Sequence, residues 1–149
     1  NIWDGLGAIV IDNPDIRYFF GKVTLYLTFN PIARDILLFF LHKYFPDNQN
    51  LVTPKFPRGL NTDIRELQNI FNGKTYDEDY KILVQKIRFY NENIPPMVNA
   101  YMNLSPSMLT FGTALNDTFG DVEETGILVT ISDIYDLKKE RHLHTYKKE

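Results

Sequence analysis

Two stretches of the chain carry side chains whose types and spacing could do chemistry. The first is LNDTFGDVEETG, residues 115–126, which places five polar or acidic residues between two apolar runs: Asn116, Asp117, Asp121, Glu123 and Glu124. A carboxylate held near the end of a sheet could bind a substrate ammonium group or accept its proton. A solvated hairpin loop is the alternative, since Asn, Asp and Gly are common turn formers. Because Phe119 and Val122 are apolar, we predict that this loop folds back onto the body of the protein.

The second stretch is FGKVTLYLTFNPIAR, residues 20–34. A predicted strand ends near Asn30, and Asn30 followed by Pro31 predicts the N-cap and first turn of a helix. The N-terminus of a helix presents free backbone N–H groups and the positive end of the helix dipole, which suit a phosphate or carboxylate. Lys22 and Arg34 could assist such a site. A purely structural cap is the alternative interpretation.

Other reaction types have little support in the sequence. The chain has no Cys, which excludes thiolate chemistry and disulfides from these residues. Its three His residues (His42, His142 and His144) do not have the spacing of a metal site, so no metal is expected. There is no GxSxG motif and no Gly-rich phosphate loop. Ser105 and Ser107 flank Pro106 and are interpreted as turn residues.

Length and composition favour one globular domain. The 149 residues are 44% hydrophobic and 14% aromatic, enough for a substantial core. A net charge of −3 argues against general nucleic-acid binding. One basic cluster lies near the C-terminus, where it is interpreted as a solvated tail, with an anionic membrane surface as the alternative; it consists of Lys138, Lys139, Arg141, Lys147 and Lys148. No apolar run approaches the ~20 residues that a membrane span requires.

Hydrophobic periodicity and turn residues predict the order helix, strand, helix, helical insertion, helix, strand, strand. The predicted ranges are a helix at 2–11, strands at 18–29, 108–115 and 126–131, a helix at 31–45, an insertion at 46–93 with helices at 62–71 and from Thr75, a short helix from Pro95, and a charged tail at 136–149. This order indicates an α/β domain over residues 1–149, with a crossover and a final antiparallel pair. The chain starts inside a helical pattern without Met, so we expect early strands of the sheet to be missing.

One long segment resembles a known family. IPPMVNAYMNLSPSMLTFGTALNDTFGDVEETGILV, residues 94–129, is similar to the C-terminal part of the hemolysin-like (ornithine-lipid synthase type) branch of the GNAT acyltransferases. Upstream, NIWDGL and IRYFFGKVTLY also resemble that branch, so the match covers essentially the whole chain. Two departures occur: Ser105-Pro106 replaces the usual Gly after the helix, and Asn116 stands where the family often has Asp.

The resemblance implies a GNAT-like mixed sheet flanked by helices, with the first half of the domain, including the loop that grips the donor's pyrophosphate, absent from these residues. It implies transfer of a fatty acyl group, from acyl-carrier protein or acyl-CoA, to the amine of a small amino acid such as ornithine or glycine in aminolipid synthesis. No bound cofactor is expected. The implied location is cytoplasmic, with peripheral attachment to the inner membrane as the alternative.

The resemblance also suggests residue roles. Asp121, Glu123 or Glu124 would accept the proton of the amine, and Tyr101, or alternatively Tyr26, would protonate the leaving thiolate. A backbone N–H of a splayed strand upstream of Asn1 would polarise the carbonyl. The candidate donor- and substrate-binding residues are Lys22, Thr24, Asn30, Arg34, Asn116 and Phe119.

Two other functions stay open at this point. A non-catalytic acyl- or lipid-binding module with a GNAT-like body would share the same patterns. A lytic hemolysin would need a membrane-inserting segment or long amphipathic hairpins, and the sequence contains neither.

Overall fold

A computed structural model describes residues 2–144 and shows a mixed α/β fold in which helices flank a three-stranded antiparallel sheet. The predicted fold class and order of elements are confirmed. The elements are α1 (Ile2–Asp12), β1 (Tyr18–Tyr26), α2 (Pro31–Tyr44), α3 (Ile64–Ile70), α4 (Tyr76–Phe89), α5 (Pro96–Met102), β2 (Leu109–Asn116), β3 (Val122–Thr130), a 3-10 turn (Ile131–Asp133), α6 (Asp136–Lys139) and a wide helical turn (Glu140–His144).

The last strand lies in the middle of the sheet. Within residues 2–144 the strand order is β1-β3-β2, and β3 pairs antiparallel with both neighbours. Within these residues β1 pairs along one edge only, with β3. Strand β3 also begins at Val122, four residues before the predicted start at Gly126. The acidic turn accordingly shrinks to 117–121, and Glu123 and Glu124 belong to the strand.

Helix α2 forms the centre of the core. Asn30 caps it, because its side-chain oxygen accepts the N–H groups of Ile32 and Ala33 at 2.9 and 3.1 Å, and Pro31 occupies the first turn as predicted. The helix is buried along most of its length and packs on the face of the sheet that carries Val23 and Leu25. Alternation along β1 leaves the other face exposed.

The predicted helical insertion, residues 46–93, attaches to α2 through a buried carboxylate. Asp79, near the start of α4, is fully buried and accepts hydrogen bonds from Lys43 Nζ at 2.7 Å, from the Gly73 N–H at 2.8 Å and from the Tyr44 hydroxyl. Burial alone would raise the pKa of Asp79, but these three donors lower it below its ordinary value. The end of α2 is thereby fixed to the start of α4, whose N-cap Thr75 was predicted correctly.

The C-terminal segment returns to the first helix. A side chain at Gly7 would place its Cβ 1.8 Å from the His142 carbonyl oxygen, so only glycine permits this approach of α1. His142 Nδ1 also lies 2.8 Å from Asp4 Oδ1. The segment predicted as a charged tail therefore packs on α1 through His142 and Leu143. Lys147 and Lys148 of the basic cluster lie outside the described residues.

The Asp79 contacts give a prediction about stability. Asp79→Ala removes a buried carboxylate and leaves Lys43 without its partner, so the free energy of unfolding should fall by about 3 kcal/mol. The exposed Asp77, in the same first turn of α4, provides the control: Asp77→Ala should cost less than about 1 kcal/mol. Urea unfolding followed by circular dichroism measures both. Equal losses in the two variants would contradict the assigned role.

Candidate functional site

The exposed face of the sheet carries a small polar cluster on all three strands. Lys22 Nζ lies 2.8 Å from Glu124 Oε2, and Asn116 Nδ2 donates to Glu124 Oε1 at 3.2 Å. Thr24 faces Glu124 directly across the β1–β3 pair. Four of the predicted site residues thus meet around one carboxylate, which we call the Glu124 cluster: Lys22, Thr24, Asn116 and Glu124. Strand register explains this meeting, because directly paired and diagonal residues share one face.

Electrostatics keep Glu124 ionised. The hydrogen bond from Lys22 is the largest influence and lowers the pKa of Glu124 below its ordinary value of 4.5, with Asn116 acting in the same direction. The side chain of Glu124 is 17% exposed and that of Lys22 is 53% exposed, so solvent or a ligand can reach both charges. The cluster therefore presents one anion and one cation side by side.

Glu123, the neighbouring residue, points to the opposite face and into a buried network. Arg34 Nε donates to Glu123 Oε2 at 2.7 Å, and Arg34 Nη1 donates to Asp35 Oδ1 at 2.7 Å. Both carboxylates and the guanidinium are nearly inaccessible. Arg58 Nε lies 3.5 Å from Glu123 Oε1, at the exposed side of the network.

Backbone groups of a loop complete this network. The Arg34 guanidinium donates to the carbonyl oxygens of Gly59 and Arg58 at 2.8 and 3.1 Å. Asp35 Oδ2 accepts from the Asn61 and Thr62 N–H groups and from the Thr62 hydroxyl, at 2.8 to 2.9 Å. Arg34 is predicted to contact the acyl donor, but protein groups already surround its guanidinium in the structure. The same is true of the predicted catalytic carboxylate Glu123.

The start of α2, predicted as a site for an anion, is also internally satisfied. Asn30 accepts the first free N–H groups of the helix with its side chain and the Arg34 N–H with its carbonyl, and its own N–H donates to Glu92 Oε1 at 2.9 Å. An incoming phosphate would have to displace these contacts and would meet the Glu92 carboxylate. The structure therefore supports the capping interpretation of Asn30.

Tyr101 approaches β1 from the core side. A Cβ at Gly21 would lie 2.5 Å from the Tyr101 hydroxyl oxygen, so the absence of a side chain there makes room for the phenol. The ring makes an edge contact with Trp3, with centroids 5.3 Å apart. Burial raises the pKa of Tyr101, which keeps the hydroxyl protonated. No residue between 2 and 144 makes a hydrogen bond with that hydroxyl.

The turn 117–121 projects from the end of the sheet. Gly120 and Asp121 have φ values of 74° and 51°, which makes the β2–β3 connection tight. The loop was predicted to fold back onto the body of the protein through Phe119 and Val122. This is confirmed for Val122, which is buried, and wrong for Phe119, which is 72% exposed. Asp121 is exposed at the tip and has no ion pair with any residue in the described range. The structure does not bring Phe119 or Asp121 into the Glu124 cluster.

The described residues contain neither a metal-binding group of side chains nor a membrane-spanning helix. Residues 2–144 contain no group of three or more His, Cys, Asp or Glu side chains suited to a metal ion. No helix in the same range is long and apolar enough to cross a membrane. Ser105 and Ser107 contact Asp133 and each other in a turn, as predicted.

Sequence reasoning missed Asp35 and Arg58 as members of the buried network. A charged Arg34-Asp35 pair inside the strongly apolar stretch of α2 was a usable signal, because buried charges need partners. The identity of those partners depended on the return path of the 46–63 loop, which local patterns do not specify.

Two curated relatives resemble the chain along its whole length. Both are named glycine N(alpha)-acyltransferase: one from Phocaeicola vulgatus is 48% identical over 149 residues, and one from Bacteroides thetaiotaomicron is 52% identical over 146 residues. These matches cover 100% and 98% of this chain but 46% and 43% of the relatives, so the chain spans less than half of their length. No family model matches the chain, and no solved structure matches it.

The buried network predicts a large loss of stability when its cation is removed. Arg34→Ala leaves Glu123 and Asp35 buried without their main partner, so the free energy of unfolding should fall by about 3 to 5 kcal/mol. Arg65 is 83% exposed in its pair with Asp63, and Arg65→Ala should cost less than about 1 kcal/mol. Chemical denaturation compares the two variants. A loss for Arg34→Ala no larger than that for Arg65→Ala would show that the network is not stabilising.

The Glu124 cluster predicts a measurable titration. Because the pKa of Glu124 is lowered in the folded state, the Lys22 pair stabilises the fold above the ordinary pKa and ceases to do so as pH falls through the lowered value. Lys22→Gln should therefore raise the pKa of Glu124 toward its ordinary value. Carbon-detected NMR of the Glu side-chain carboxyls measures this shift. An unchanged titration would mean that Lys22 does not contact Glu124 in solution.

Proposed function

We propose that this chain is part of an N-acyltransferase that joins a fatty acyl group to the amine of a small amino acid, with glycine as the first acceptor to test. The single observation that carries the proposal is the exposed Lys22–Glu124 pair on the sheet, taken with the two relatives named for glycine acylation. The acyl donor, acyl-carrier protein or acyl-CoA, and the role in aminolipid synthesis are proposed from the family resemblance.

The charges of the Glu124 cluster suit a zwitterion. An amino acid carries a carboxylate and an ammonium group a few ångströms apart, and Lys22 Nζ and Glu124 Oε2 are 2.8 Å apart. A bound amino acid would place its carboxylate at Lys22 and its ammonium at Glu124, extending the ion pair into four alternating charges. Thr24 and Asn116 lie beside Glu124 and offer hydroxyl and amide groups for orientation.

Glu124 is the best placed of the three proposed catalytic carboxylates. Glu123 is buried with Arg34, and Asp121 lies at an exposed tip away from the cluster. The lowered pKa of Glu124 keeps it ionised at neutral pH, so it binds the ammonium. The ammonium releases one proton to solvent to become the attacking amine, and Glu124 is in position to accept the second N–H proton as the amide forms. Reaction then forms the N–C bond and breaks the C–S bond of the thioester.

Tyr101 would supply a proton to the departing thiolate. Its hydroxyl is kept protonated by burial and approaches Gly21 from the core side, whereas Glu124 lies on the opposite face. Because Tyr101 and Glu124 lie on opposite faces of the sheet, a single substrate can reach both side chains only by passing around an edge of the sheet. The outer edge of β1 is such a place, since it has no strand partner within residues 2–144. We therefore propose that the thioester reaches the amino acid across this edge. Holding both reactants there would supply much of the rate enhancement.

Assays of the complete gene product test the proposal. Incubation with glycine and a long-chain acyl thioester should yield N-acylglycine, identified by mass spectrometry. Glu124→Gln should lower kcat/KM by about 100-fold, because it loses the charge that holds and deprotonates the amine. Lys22→Gln should mainly raise KM for glycine, by about tenfold, because it removes the carboxylate contact.

An exposed carboxylate of α3 provides the matched control. Glu66→Gln should leave both kinetic constants unchanged, since Glu66 lies on the surface of a different element. Binding of the acyl thioester without any turnover would instead support a non-catalytic acyl-binding module. Full activity of Glu124→Gln would refute the assigned role of the cluster.

A further inference from the structure

A second exposed surface lies on the loop that connects α2 to α3. Residues 51–58, here called the 51–58 loop, expose three apolar side chains: Leu51 at 51%, Val52 at 41% and Phe56 at 71%. Isolated exposed apolar residues are ordinary on protein surfaces, but three within six positions of one loop form a local apolar surface.

Basic side chains accompany these apolar groups. Lys55 lies 5.4 Å from the centre of the Phe56 ring, and Arg58 is exposed at the end of the loop. No acidic residue occurs from 48 to 62 in the sequence. Two carboxylates nevertheless lie beside the loop in space: Asp47 accepts the Leu51 N–H, and Glu123 lies 3.5 Å from Arg58. The 51–58 loop therefore presents three exposed apolar side chains beside Lys55, which has no ion pair within residues 2–144, and beside the half-exposed Arg58, which is paired with Glu123.

Contacts with the sheet hold this loop in place. Asp47 accepts the Leu51 N–H at 2.8 Å, which shapes the entry to the loop. Pro54 lies against Gly112, where a Cβ would come 2.7 Å from the proline ring. The Arg58 N–H donates to the Thr113 carbonyl at 2.7 Å. The apolar side chains are thus exposed on a segment attached along the outer edge of β2.

We propose that the 51–58 loop docks on the surface of an anionic lipid bilayer. Phe56, Leu51 and Val52 would enter the boundary between headgroups and acyl chains, and Lys55 would contact lipid phosphates. The lipid nature of the partner rests in part on the proposed function, because an N-acyl amino acid has a long acyl chain and a carboxylate and partitions into membranes. The apolar and basic composition of the loop supports the same partner independently of that activity.

Vesicle co-sedimentation with the complete gene product tests the proposal without requiring turnover. Vesicles of phosphatidylcholine and phosphatidylglycerol in equal amounts should bind the protein, and vesicles of phosphatidylcholine alone should bind it much less. Lys55→Gln should weaken binding about fivefold, the value expected for one charge at an anionic surface. The double variant Phe56→Ala/Lys55→Gln should bind the mixed vesicles more weakly than Lys55→Gln alone. High salt should reduce the difference in binding between the two vesicle types, because it screens the lysine–phosphate attraction.

A matched pair on α4 separates a local effect from a general one. Phe89 is 76% exposed and Lys86 is exposed nearby on the same helix, so Phe89→Ala with Lys86→Gln removes the same groups from another surface. This control should bind vesicles like the parent protein. In addition, the tryptophan fluorescence of Phe56→Trp should shift to the blue when the mixed vesicles are added. The parent protein, which has one Trp, provides the reference and should show a smaller shift.

Three outcomes would overturn the proposal: no binding of the parent to the mixed vesicles, unchanged binding of the Phe56 and Lys55 variants, or equal weakening by the α4 control. Each of these results concerns binding alone and leaves N-acylglycine formation as a separate question. Loss of acyl transfer with intact loop-dependent vesicle binding would, conversely, refute only the proposed reaction.

Discussion

The structure depends on the buried ion pair between Arg34 and Glu123. A guanidinium and a carboxylate inside a protein are costly to desolvate unless both are fully hydrogen-bonded, and here Asp35 and the backbone of residues 58–62 complete the bonding. This requirement brings three separate segments to one point: the start of α2, the start of β3 and the returning loop. The network thus fixes the pairing register of β3 with β1 and β2. It does so at the end of the sheet that carries the Glu124 cluster.

The register of β3 gives two adjacent glutamates different environments. Successive side chains of a strand point to opposite faces, so the inward position of Glu123 requires Glu124 to face outward. Glu124 then meets Lys22 and Asn116 on the exposed face of the sheet. The proposed substrate site therefore depends on a buried interaction that need not touch the substrate, and a loss of the network would displace the cluster.

Sequence patterns predicted the elements better than the contacts between them. Asn30-Pro31 and Thr75 identified helix starts correctly, because capping depends on neighbouring residues in the chain. The start of β3 was misplaced because Glu123 and Glu124 read as turn residues, and only their distant partners explain their place in a strand. Phe119 was expected to pack inward on hydrophobicity alone, yet the tight turn beside it directs it to solvent. Long-range pairing, which the sequence does not show locally, accounts for these errors.

The central claim is that the Glu124 cluster recognises both charges of an amino acid. Calorimetric titration of the complete gene product with glycine, acetate and methylamine tests this claim most directly, because each of the last two ligands carries only one of the two charges. The account predicts that glycine binds and that neither single-charge ligand binds comparably, with glycine affinity lost in both Lys22→Gln and Glu124→Gln. Equal affinity for glycine and methylamine, or glycine binding that is insensitive to both substitutions, would contradict it.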